Sequence, residues 1–178
     1  MSLIKVNEVQ NTSGTHSVTG MGRIIQVQQT VKTDAFSHTN LAKDTMTAIC
    51  LSQAITPISA SNKILVMVDL TVGCSADVGV YLNLFRGSTQ ICKGDANGSQ
   101  QEVSSFGATR NSDSHGYCGV RFLDSPSTTS STTYGVKLSN AAFSSDSVYL
   151  NRVHNDDSSQ SQLARGTSII TLFEVTAS

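Results

Sequence analysis

The sequence predicts an all-β protein, an eight-stranded jelly-roll-type β-sandwich over residues 21–178 with a short N-terminal extension over 1–20. Ile64, Val66, Val68, Leu70 and Val72 occupy every second position of one stretch, and Val78, Val80, Leu82 and Leu84 repeat the period soon after. Side chains on a strand alternate between faces, so each run makes a strand with one apolar face, and the two need a shared core. Strand candidates recur at regular spacing along the rest of the chain, and no stretch carries a sustained i, i+3, i+4 apolar stripe.

Taken in order, residues 1–20 hold the short apolar pattern Ile4, Val6 and Val9, then the turn signal Asn11-Thr-Ser-Gly14. Too few apolar residues are present for a separate core, so the segment is expected to dock elsewhere as an anchor, with Ile4, Val6 and Val9 making the contact. Strands are predicted at 22–32, 46–54, 63–74, 78–86, 117–124, 133–139, 147–153 and 167–176, with short helical signals only at 40–44 and 139–143. Asn97-Gly98 signals a tight hairpin that accepts positive φ, and Ser125-Pro126 a turn into a Ser/Thr run. The segments 93–115 and 155–162 read as exposed loops.

Charged residues are 14% of the 178, well under the roughly 25% of an ordinary globular chain. A net charge of -1 offers no field to attract nucleic acid, and no apolar run has the length of a membrane span. Nucleic-acid binding and membrane insertion are therefore not expected. With no long apolar leader, synthesis in a cytoplasm is the simplest reading. Cys50, Cys74, Cys92 and Cys118 lack CxxC spacing; Cys74 and Cys118 share parity with apolar neighbours and read as small buried hydrophobes.

Chemical motifs are few. His115 and Cys118 are near in sequence, but Cys118 has inward parity and His115 sits in a Gly/Ser loop, so no nucleophile is expected. Asp95, Asn97, Ser99 and Glu102 resemble a calcium loop until its sixth position, where Gln100 replaces the required glycine. Asp156 and Asp157 read as a solvated loop, and Gly73, Gly79, Gly87 and Gly94 as bulges and turns without a phosphate-binding pattern. The expectation is no enzyme, no catalytic residue, no metal and no cofactor.

The last strand is apolar on both faces: Ile169, Phe173 and Val175 on one, Ile170 and Leu172 on the other. Such a strand must meet its own core and something else, either the N-terminal segment of the same chain or a neighbouring subunit; the second is preferred, which predicts a homo-oligomer with these five residues at the interface. Loops rich in Asn, Asp, Ser and Thr also suit a carbohydrate-binding module, for which Tyr117, Tyr134 and Tyr149 are the candidate stacking platforms.

The segments IKVNEVQNTSGT (4–15), GRIIQVQQT (22–30), NKILVMVDLTVG (62–73), LFRGSTQI (84–91), FLDSP (122–126) and ARGTSIITLFEV (164–175) resemble virion structural proteins of tailed bacteriophages, particularly marine ones. The resemblance implies a virion location and a surface decoration or short-fibre protein, with capsid or tail proteins as partners and a host surface glycan as an alternative target. The strand count and final strand also resemble trimeric jelly rolls of the tumour-necrosis-factor and complement C1q type, which implies a homotrimer with the last strand near the threefold axis.

Overall fold

The computed structural model describes residues 22–75, 79–107, 113–141 and 145–177. The anchor residues Ile4, Val6 and Val9 lie outside the described residues, as does Val78. The strands are β1 (Ile24–Lys32), β2 (Phe36–Leu41), β3 (Leu51–Ile55), β4 (Lys63–Cys74), β5 (Val80–Arg86), β6 (Thr89–Ile91), β7 (Ser105–Gly107), β8 (Gly116–Asp124), β9 (Thr132–Asn140), β10 (Asp146–Leu150) and β11 (Ser168–Val175). No described residue is helical. The helical signal at 40–44 resolves into a strand end and a turn, with Asn40 and Asp44 at φ of 52° and 61°, a region that Asn and Asp tolerate better than most residues.

The eleven strands fill eight lateral places, four in each of two antiparallel sheets. Val72 of β4 pairs with Gly116 of β8 on one edge and with Leu150 of β10 on the other, while β11 pairs with residues 63–69 of β4. Because β8 covers those same residues, β10 and β11 share one edge of β4 and lie end to end. Their outer partners β2 and β1 do the same, as do β6 and β7 along β5, opposite β9.

Counted in chain order, the places run 1-8-3-6 in the first sheet and 2-7-4-5 in the second. Place 1 pairs with 8, 2 with 7, 3 with 6 and 4 with 5: a long hairpin rolled up on itself. That is the double Greek-key wrapping of a jelly roll, the expected fold class. The strands the sequence did not announce, β2, β6 and β7, are edge pieces. Two of them have three residues each, too few to display a period.

The core lies between the sheets. Ile64, Val66, Val68, Leu70 and Val72 of β4 face Leu82 and Leu84 of β5 and Val136 and Leu138 of β9, all buried, the arrangement their alternation predicted. Gly73 marks a crossing point: a Cβ there would come within 2.4 Å of the Arg152 carbonyl oxygen, so only glycine permits that approach. Gly98 has φ of 58° in a turn closed by the Gln100 amide on the Asn97 carbonyl at 3.1 Å, but this is not the expected hairpin: it lies in the loop between β6 and β7, which pair with β5 and not with each other.

Buried polar groups tie the loops to this core. Asn151, at φ of 63°, donates from Nδ2 to the carbonyls of Lys32 and Asp34 and accepts from the Ser168 hydroxyl at 2.6 Å. Glu174 is fully buried on the inner face of β11. Its Oε1 accepts from the Ile58 amide at 2.8 Å and from Asn62 Nδ2 at 2.6 Å, which fastens the turn between β3 and β4. Paired in this way, a polar atom avoids the penalty of unsatisfied burial.

The buried thiols are inert. Cys118 Sγ donates to the Val80 carbonyl and Cys50 Sγ to that of Val136, both at 3.4 Å. Burial pushes both thiols up to about 12 from the ordinary 9.0. A raised folded pKa leaves stability intact below the unfolded value and removes it as pH climbs through the interval. At about pH 10 the two thiols are expected to cost roughly 3 kcal/mol together. Urea unfolding at about pH 8 and about pH 10 checks this: the Cys50→Ala/Cys118→Ala variant should lose less stability than the parent across that step, and an equal loss in both would refute it.

Candidate functional site

The outer face of the first sheet is open to solvent and carries one apolar row among polar neighbours. Odd-numbered positions of β1, β11, β4 and β8 point outward, so cross-strand register builds rows. One row reads Val27, Phe173, Leu65 and Leu123, apolar across all four strands. Ile25 adjoins it on β1 and Met67 on β4, while the rest of the neighbouring row is polar: Gln29, whose Nε2 donates to Thr171 Oγ1 at 2.9 Å, Thr171 and Arg121. Val27 retains 51% of its exposure and Leu123 47%, at the two ends of the row. Scattered exposed apolar residues are ordinary, whereas this row runs unbroken across four strands.

A polar rim closes one end of the face. Tyr117 donates from its hydroxyl to Asp69, and Arg121 Nη2 stands 3.8 Å from the same carboxylate. That hydrogen bond to Asp69 is the main cause of the raised Tyr117 pKa, with burial second. An apolar centre beside a hydrogen-bonded rim is the usual anatomy of a protein–protein contact.

The five predicted interface residues divide between two surfaces. Ile169, Phe173 and Val175 lie half-buried on this open face. Ile170 and Leu172 do not: both are fully buried in the core, because their parity matches Val68 and Val66, the β4 residues they pair with. The face also recruits residues that the terminal strand alone did not announce, Val27, Leu65 and Leu123. Their outward parity was visible in the sequence, but the strand order that aligns them was not.

The three tyrosines separate as well. Tyr134 has no exposed surface and donates its hydroxyl to Asp124 at 2.6 Å. Tyr149 is buried beneath the Arg152 guanidinium, 4.7 Å from its ring centroid, with its hydroxyl 2.7 Å from His154 Nδ1. Neither ring offers a face to a sugar, which corrects the expectation for both. Tyr117 alone of the three is exposed, at 59%, and it belongs to the polar rim of the open face.

The remaining sequence features take structural roles. Asp156 is paired with Arg165, which holds its carboxyl below the usual range, and Asp157 accepts from the Ser159 backbone N–H with the same effect. Glu102 of the calcium-like loop pairs with Lys93. Cys118 points into the core and His115 is exposed.

No family model matches this chain, and no curated protein matches it. Among solved structures it is similar to the VP2 subviral particle of infectious bursal disease virus, with a TM-score of 0.44 and 10% identity over 97% of this chain and 45% of that one. It is also similar to the structure of the Gx strain of infectious bursal disease virus, with a TM-score of 0.41 and 9% identity over 97% of this chain and 44% of that one. The chain thus spans less than half the length of each protein it is compared with.

Proposed function

We propose that this chain is a non-enzymatic virion structural protein, a surface decoration or short-fibre subunit whose copies assemble through the open face of the β1-β11-β4-β8 sheet. The observation that carries the assembly is the unbroken row Val27, Phe173, Leu65 and Leu123. Virion membership is supported by the six sequence segments that resemble phage particle proteins.

The size of the face suits a second copy of the same chain. Four strands at about 4.8 Å spacing and eight residues at about 3.4 Å give a footprint of roughly 500 Å². The accessible area of a rugged side-chain surface exceeds its footprint, which brings the face near the ~800 Å² per partner of a standard interface. In a homotrimer, three such faces turn toward a common axis and each divides its apolar row between two neighbours. Residues 1–20 then attach the assembly to capsid or tail proteins.

Sedimentation of the full chain at micromolar concentration tests the assembly: the expected mass is three times the 18.8 kDa of one chain, and a monomer overturns it. A variant lacking residues 1–20 should keep that mass yet fail to enter particles. Normal incorporation of that variant would refute the anchor.

A further inference from the structure

The outer face of the second sheet carries a groove of different chemistry. Its volume is about 550 Å³, within the range of small-molecule sites. Tyr81 of β5 and Phe106 of β7 are cross-strand partners on its floor, and Phe106 keeps 71% of its exposure. Lys43 and Asp44 line one side, Ser99, Gln100 and Gln101 another.

The polar wall is held in place. Gln101 accepts from the Ser139 hydroxyl at 3.0 Å, and its Nε2 donates to the Asn140 carbonyl at 3.2 Å and to Asp44 Oδ1 at 3.3 Å. Asn97 Nδ2 donates to Gln100 Oε1 at 3.2 Å. Beneath this wall Asn83, fully buried, donates to Ser139 and accepts from Gln90 Nε2, both at 3.1 Å, so the loop is stapled to the sheet. Groups fixed in advance lose little entropy when a ligand arrives.

From this geometry we infer that the Tyr81–Phe106 groove binds a neutral saccharide. A phenylalanine ring has no polar tip, so its exposed face is satisfied only by an apolar surface. The surrounding amides, hydroxyl and carboxylate call instead for hydrogen-bonding groups. A pyranose presents both, an apolar C–H face bordered by hydroxyls that donate and accept. Lys43 neutralises Asp44 by direct pairing, so the groove carries no net charge to favour an ionic ligand. Phe106 supplies the stacking face, Tyr81 extends it, and Asp44 and Gln100 take the hydroxyls. The site is independent of assembly, since it lies on the other sheet.

Saturation-transfer NMR on the full chain, with neutral hexosides, N-acetylhexosamines and their disaccharides at about 1 mM, tests the assignment. At least one probe should receive saturation at its ring protons. Phe106→Ala should weaken that probe's binding by about tenfold, the scale of one lost aromatic contact, while Phe106→Tyr retains it. The assembly variant Val27→Glu/Leu123→Glu should bind as the parent does, which separates failure here from failure of the assembly reading. No transfer to any probe, or transfer unchanged in Phe106→Ala, overturns the proposal.

Discussion

Replacing Asp124 by alanine is expected to cost about 3 kcal/mol of stability, because one carboxylate clamps the two sheets together. Asp124 closes β8 on the inner face of the first sheet. Arg86 of β5 donates from Nη1 to its Oδ1 at 2.9 Å and its Oδ2 at 2.8 Å, and Tyr134 of β9 donates to Oδ2 at 2.6 Å. Arg86 and Tyr134 are themselves register partners in the second sheet, so two neighbouring side chains reach across the sandwich to one acceptor.

Removal of the carboxylate affects the partners unequally. The Arg86 side chain is 33% exposed and regains water in part, which puts the cost at the bottom of the roughly 3–5 kcal/mol of a broken, fully buried pair. Tyr134 has no such outlet, and its hydroxyl is left buried without this acceptor. Asp124→Asn keeps an oxygen for Tyr134 and should cost about half as much. Urea unfolding monitored by circular dichroism decides the matter: a loss under about 1 kcal/mol for Asp124→Ala would show that the clamp contributes little.

The double variant Val27→Glu/Leu123→Glu is expected to abolish self-association while leaving the subunit folded. Both side chains stand about half exposed at the two ends of the apolar row, so glutamate there projects into water in the isolated chain. In an assembly the same carboxylates would be desolvated against an apolar partner, at a cost of about 2 kcal/mol or more each. Two such charges correspond to a weakening of roughly 1000-fold. Sedimentation should show a monomer whose urea midpoint is close to that of the isolated parent domain. An unchanged assembly mass would remove this face from the interface.

Much of the architecture was legible in the residues. The alternation at 64–72 placed β4 and its inward face, whereas Asn97-Gly98 placed a turn but not the hairpin, because its flanking strands both pair with β5. The inward parity of Cys118 with Val120 matched its burial. Tyr134 could have been read the same way, since it shares parity with the buried Val136 and Leu138. Tyr149 could not: its parity is opposite to that of Val148 and Leu150, and what buries it is Arg152 and His154, folded back from the following turn. The Tyr81–Phe106 groove was illegible for a related reason. Phe106 belongs to a three-residue strand, and only pairing sets it beside Tyr81, 25 positions earlier in the chain.

By itself, then, the sequence determined that this chain forms strands, that they pack as a two-sheet sandwich, and that the last strand has two apolar faces. A period of two separates residues into faces but does not say which face is inside. The tertiary structure decided that: β11 pairs with β4 in a register that sends Ile170, Leu172 and even the polar side chain of Glu174 into the core. Ile169, Phe173 and Val175 are left outside. The rolled hairpin then sets Val27 and Leu123, 96 residues apart in sequence, at the ends of one row. Local alternation cannot specify that alignment, because it depends on which strands become neighbours.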